Sequence, residues 1–188
     1  PLAGTESNSF LSRRNLLFLL GIGLAEASMS MPMVQIPVYL RELGASITDI
    51  GFFFTVSMLF PILVRVFGGW LADVIGQLRV ILLGSLTGVL TFAVYALAPS
   101  WQAALLGPAL LAITMALTFP AFYSYVAERS QEGTRGRAFG IAQTVRNLAW
   151  VVSPPLGGIL GQAFGYRVMF VAASAIFNDR ATIGENIA

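Results

Sequence analysis

A single carboxylate, Glu26, stands in the small-residue run Gly21-Ile22-Gly23-Leu24-Ala25-Glu26-Ala27-Ser28, and a single guanidinium, Arg146, stands in a second apolar run. Ionisable groups in such surroundings cost several kcal/mol unless they meet a cavity or a partner, so function is the first hypothesis for each. Counting from Gln143, residues Arg146, Asn147 and Trp150 follow at spacings of three, four and seven, which puts all four on one helical face. That stripe predicts a cavity lining, with Glu26, Gln143, Arg146 and Asn147 along a solute or proton path. Three roles stay open for the two charges. They can pair across the cavity, they can separately take a solute charge or a proton, or they can form an ion pair that only fixes packing.

Other chemistry is excluded by residue type. The chain has no cysteine and no histidine, and all eleven of its basic residues are arginine. Disulfide frameworks, Cys/His zinc sites and a serine–histidine nucleophile are therefore unavailable. A paired-aspartate hydrolase is also excluded, because no two apolar runs carry aspartates at depth. No metal or cofactor is expected, proton coupling apart, and the expected protein is not an enzyme. The arginines form no continuous basic stripe, which argues against nucleic acid despite a net charge of +2. No repeated filter segment of the kind a channel needs is present.

The elements that must hold these residues are membrane spans. Hydrophobic residues make up 56% of the 188 and charged residues 11%, with a mean hydropathy of +0.78. The apolar residues fill whole runs and cover every helical face, so the solvent being satisfied is hydrocarbon. A bilayer core about 30 Å thick needs roughly 20 apolar residues per helix. Five such stretches fall at about 16–40, 50–71, 80–98, 103–126 and 139–164, and a sixth runs over 168–177 before Asn178, Asp179 and Arg180 interrupt it. The spacing thus predicts an all-α membrane protein of six transmembrane helices, the sixth truncated. Ser46, Thr48 and Asp49 are placed to cap the second span.

Arg13, Arg14, Arg79, Arg129, Arg135 and Arg137 fall on one side of these spans, and Arg41 and Arg167 in connections on the other. The positive-inside rule then puts the amino terminus in the cytoplasm of a multi-pass plasma (inner) membrane protein. No cleaved signal peptide is expected, since the first residues lack the charged and apolar segments of one. Residues 1–13 are expected as a cytoplasmic segment, 14–177 as the six-helix domain, and 178–188 as a polar tail foreign to the fold.

An offset of about 89 residues brings Gly44, Gly51, Thr55, Val56, Gly68, Gly69, Leu71 and Gly76 onto Gly133, Gly140, Thr144, Val145, Gly157, Gly158, Leu160 and Gly165. Spans one to three thus repeat as four to six. A unit of three spans must re-enter the membrane inverted, which gives the 3+3 inverted repeat common in secondary transporters.

The stretch Gly69-Trp70-Leu71-Ala72-Asp73-Val74-Ile75-Gly76 resembles the loop signature of the major facilitator superfamily, G-x-L-x-D-[RK]-x-G-[RK]-[RK]. Gly44-Ala45-Ser46 before span two and Gly165-Tyr166-Arg167-Val168-Met169-Phe170 before span six are similar to that family too, and the resemblance covers about 14–177. In span five, Ser153-Pro154-Pro155-Leu156-Gly157-Gly158 resembles the G-P-x-x-G-G element of its drug and proton antiporters, with Pro154, Pro155, Gly157 and Gly158 permitting a bend. The sequence departs from the family at Val74, Gln77 and Leu78, where bases are usual, with Arg79 as the nearest substitute. It also lacks the arginine that many proton-coupled members carry in span four.

The resemblance implies the amino-terminal half of a secondary transporter moving a small solute by alternating access, drug efflux among the cargo classes. Gly69, Asp73, Gly76 and Arg79 would form a conformational loop. The partners implied are the lipid bilayer, a solute, and either a missing carboxy-terminal six-helix half or a second copy. The alternative is a truncated fragment that does not transport, or a regulatory or dimerising half-transporter.

Overall fold

The structure is a computed structural model that describes residues 13–75, 77–129 and 135–185. Among them every regular element is a helix, short turns join the helices, and no strand occurs. In chain order the helices are α1 (Arg13–Met33), α2 (Ile36–Glu42), α3 (Ile47–Ile75), α4 (Gln77–Leu97), α5 (Trp101–Ala104), α6 (Leu106–Arg129), α7 (Arg135–Phe164) and α8 (Tyr166–Glu185).

Local chemistry sets several of these boundaries. Ser46 Oγ accepts from the Asp49 amide at 3.2 Å, while Asp49 Oδ2 accepts from the Ser46 amide at 2.9 Å. This reciprocal cap satisfies amides that open the helix and fixes the start of α3. Ser100 caps α5 in a similar way through the Ala103 amide, at 3.4 Å. Gly44 and Gly165 have φ of 84° and 89°, a left-handed backbone in which a Cβ would be strained, and each reverses the chain between helices.

The first expected span is not one helix. It breaks at Val34 and Gln35 and continues as α2 after a bend of 44°. Pro37 sits in the first turn of α2, where it needs no helical donor and biases the residue before it away from α. The fourth expected span likewise begins with the separate turn α5. The last helix differs from expectation as well. It does not stop at Phe177 but continues through Asn178, Asp179 and Arg180 to Glu185, so the change after Phe177 is one of composition and not of backbone.

Among the described residues two helical stretches are long and apolar enough by themselves to cross a membrane, Ile47–Val64 and Trp101–Thr118, and there are three if α1 and α2 count as one bent span. In α4 the qualifying apolar stretch, Leu83–Leu97, is shorter. α7 falls below that apolarity because Gln143, Arg146 and Asn147 interrupt it, and α8 because of its polar end.

α1 packs on α7 and α8, α6 packs on α4 and α3, and α4 packs on α8. Ile36, Tyr39 and Leu40 of α2 belong to the buried core cluster together with Tyr95, Tyr166 and Phe170. Tyr95 stacks on Phe170 with ring centroids 4.9 Å apart, and Tyr39 meets the same ring edge-on at 5.0 Å. Each such pair contributes about 0.5–1.5 kcal/mol beyond its buried area. Tyr39 donates its hydroxyl to the Tyr95 carbonyl and Arg167 donates to the Ala98 carbonyl at 3.2 Å, so α2, the end of α4 and the start of α8 are tied together. Further along, Thr114 donates to Thr87 at 2.9 Å between α6 and α4, and Phe177 lies against Gly88.

Candidate functional site

The seam between α1 and α7 is built from small residues. Gly23 meets Val145, Ser30 is fully buried, and a Cβ on Gly157 would run into the Met31 carbonyl. Close backbone approach of this kind is what glycine and serine permit between membrane helices. Contacts advance together along both helices, from Gly23 with Val145 through Ser30 with Ala149 to Gln35 with Pro154, so α1 and α7 run parallel.

At the middle of this seam Glu26 and Arg146 meet. Arg146 Nε lies 2.9 Å from Glu26 Oε1, and the two side chains are 14% and 15% exposed. Trp150 donates its indole N–H to the other oxygen, Glu26 Oε2, at 2.8 Å. One carboxylate oxygen therefore stands against the guanidinium in an ion pair, and the other accepts from the neutral indole of α7. Of the readings open from sequence, the structure shows the paired geometry. Trp150 is the member whose contact with Glu26 the sequence did not foretell. Its place on the stripe with Gln143 and Asn147 was the available signal.

Gln143 and Asn147 are exposed and bond to each other, Gln143 Nε2 donating to Asn147 Oδ1 at 3.1 Å. They stand beside the ion pair on the next strip of α7 and do not enter it. α7 thus has three faces. Ala142, Ser153 and Gly157 are buried against the rest of the fold, Gln143, Asn147 and Trp150 form an exposed polar strip, and Leu148, Val152, Leu156 and Ile159 form an exposed apolar one. Side chains at spacings of three and four share a face, so the two exposed strips look in different directions.

The remaining expected residues lie apart from this cluster. Gly69 and Asp73 fall in the last part of α3 and Arg79 in the first turn of α4, with only their helical backbone described, and Gly76 lies outside the described residues. Pro154 and Pro155 sit inside α7, which runs through them as one helix. The chain break in this region belongs to α1, at Val34 and Gln35, and Gln35 Nε2 reaches the Pro154 carbonyl at 3.3 Å. Among the described residues no group of three or more acidic, histidine or cysteine side chains is placed to hold a metal ion.

Comparison with known proteins gives this arrangement a context. The chain is 25% identical over 160 residues to the quinolone resistance protein NorA of Staphylococcus aureus, covering 85% of this chain and 39% of that one. It is 29% identical over 187 residues to the probable vesicular acetylcholine transporter-B of Danio rerio, covering 93% of this chain and 38% of that one. The chain therefore spans about two fifths of the length of the curated relatives it matches. Residues 18–177 match the Major Facilitator Superfamily, a stretch that takes in the whole α1–α7 seam and ends at Phe177, and the chain belongs to that family of membrane transport proteins.

Proposed function

We propose that this chain is the amino-terminal six-span half of a secondary transporter that moves a small organic solute by alternating access. The observation that carries this reading is the Glu26–Arg146–Trp150 network, set at mid-seam beside an exposed polar strip of α7 and turned away from that helix's apolar strip. Charged groups kept at such depth mark solute and ion paths more often than lipid-facing surface.

The helix neighbours support the 3+3 inverted repeat. Exchanging spans one, two and three for four, five and six turns the α1–α7 pair into α6–α3 and the α1–α8 pair into α6–α4, and leaves α4–α8 unchanged, and all of these pairs are in contact. The arginine distribution supports a cytoplasmic amino terminus in a plasma membrane. In this reading Glu26, Gln143, Arg146 and Asn147 line the path, Glu26 also serving proton coupling, and Gly69, Asp73, Gly76 and Arg79 set the balance between inward and outward states. Pro154, Pro155, Gly157 and Gly158 shape the α7 side of the seam. Because the relatives are more than twice as long, the path is completed by a carboxy-terminal half or by a second copy. The relatives named for quinolone resistance and for acetylcholine support a reading in which the cargo is a small organic molecule, drug efflux included.

The test is transport in proteoliposomes by the chain as given beside Glu26→Gln, following internal pH while drugs, sugars and organic acids are added. Solute-dependent proton flux that the substitution abolishes supports the reading with a second copy completing the path. Flux that survives Glu26→Gln removes Glu26 from the coupling path. Absence of flux from well-folded protein means that a carboxy-terminal half is required.

A further inference from the structure

The two contacts on Glu26 differ in how firmly they are held. Arg146 Nε meets Oε1 in an ion pair, and its side chain is 14% exposed. Breaking such a pair leaves a charge without its partner away from water, which is strongly unfavourable. Trp150 meets Oε2 through one hydrogen bond from a neutral donor at 2.8 Å, and Trp150 is 45% exposed. Exposed side chains change rotamer readily. Of the two partners, the indole is the one that can leave.

A carboxylate oxygen in an apolar seam needs a donor, and a donor on a bound molecule serves as well as one on the protein. Indole is a flat apolar body with one N–H at its edge and no acceptor. It has the outline of a small aromatic molecule that carries a single donor. Asn147 and Gln143, one and two turns back on the same strip of α7, are exposed and carry amides that can meet polar substituents of such a molecule.

We infer that Trp150 is a placeholder, whose indole occupies Glu26 Oε2 until a solute with its own N–H or O–H on a flat ring takes that oxygen, while Glu26 stays paired with Arg146. The solute class assigned to the path is an aromatic or heteroaromatic donor, neutral at the contacting group. A flat solute without the donor would leave Oε2 unpaired on displacing the indole, so it is discriminated against. Trp150 is thus a specificity-determining residue that acts through the oxygen it vacates. This assignment rests on the reading of Glu26 as part of the solute path, but the binding step itself needs no transport.

Magnetic resonance of the full chain in lipid nanodiscs, with isotope-labelled nitrogen in its three tryptophans and its arginines, reads both contacts. Trp150→Phe identifies the Trp150 indole signal by its loss, and Arg146→Lys does the same for the Arg146 Nε–H signal. The probes are naphthol, a flat ring system with one O–H, and its methyl ether, which has the same rings and no donor. Empty nanodiscs give the partition of each probe into lipid. Binding is read without a gradient, so a chain that binds naphthol and transports nothing counts against alternating access alone.

The expected result is that naphthol moves the Trp150 signal out of its hydrogen-bonded position and leaves the Arg146 signal in place, whereas the methyl ether needs about tenfold more to do the same. Equal response to the two probes, or no response of Trp150 to either, overturns the assignment. Loss of the Arg146 signal together with that of Trp150 overturns it too, since the solute would then enter by breaking the ion pair.

Discussion

In α3 the exposed large hydrophobic side chains among the described residues are Ile47, Phe52, Met58, Leu59, Ile62 and Leu63, whereas α7 exposes Gln143, Asn147 and Trp150 on one strip and Leu148, Val152, Leu156 and Ile159 on another. The two helices are related by the offset of about 89 residues, and they keep a common local pattern. Thr55 donates to the Gly51 carbonyl at 2.9 Å, and Thr144 donates to the Gly140 carbonyl at 2.8 Å. They part company one turn later. Ser57, Met58 and Pro61 of α3 stand where the same offset puts Arg146, Asn147 and Trp150 of α7. Over its described side chains, 47–64, α3 carries no charge beyond Asp49 in its first turn, whereas α7 carries Arg146 at mid-helix, where α1 brings Glu26 alongside.

The most severe way to break this contrast is to force the α1–α7 seam apart. Gly157→Leu should cost about 3 kcal/mol, because its side chain has the Met31 backbone in the way and no void to enter. Leu63→Ala on the exposed face of α3 should change stability by less than about 0.5 kcal/mol. Thermal unfolding in detergent micelles reads both. If the two variants behave alike, the seam is not the tightly packed element described above.

A smaller effect is expected from the ion pair. Glu26→Gln and Arg146→Met should each cost about 2 kcal/mol, less than for a fully buried pair because both side chains keep some exposure. The double variant should cost less than the sum of the two, since neither charge is then left without its partner. Additivity in the double-mutant cycle would show that the groups do not interact in the membrane.

Exchanging one residue between the helices sharpens the comparison further. Asn147→Met should leave stability within about 0.5 kcal/mol yet lower solute flux, whereas Met58→Asn should cost about 1 kcal/mol and leave flux unchanged. The smallest expected effect belongs to what the helices share. Thr55→Val and Thr144→Val should each fall within about 0.5 kcal/mol of the parent, and by similar amounts, because each hydroxyl only bonds back to its own helix. A clear difference between them would weaken the structural equivalence of the two segments.

Much of this was legible before any coordinates. The apolar runs marked the helical segments, and the isolated charges at Glu26 and Arg146 stood out because nothing around them could solvate them. Ser46 and Asp49 carried a readable cap. The break at Val34 and Gln35 is not marked by the hydropathy of the run 16–40, which contains one polar residue there, and the cue, Pro37, lies within the same run. Pro154 and Pro155 lie inside α7, which remains one helix through them, and the break opposite falls between α1 and α2. The contact of Trp150 with Glu26 depends on the parallel register of α1 and α7, which no local pattern encodes.

The most direct test of the central claim, that α7 turns a water-filled path on one side and lipid on the other, is thiol accessibility in proteoliposomes. Asn147→Cys and Val152→Cys introduce single thiols into a chain that has none, and five residues of helix put them roughly 140° apart. The account predicts that a membrane-impermeant methanethiosulfonate reagent modifies the first and spares the second. Equal modification of both, or modification of the Val152 position alone, would contradict it.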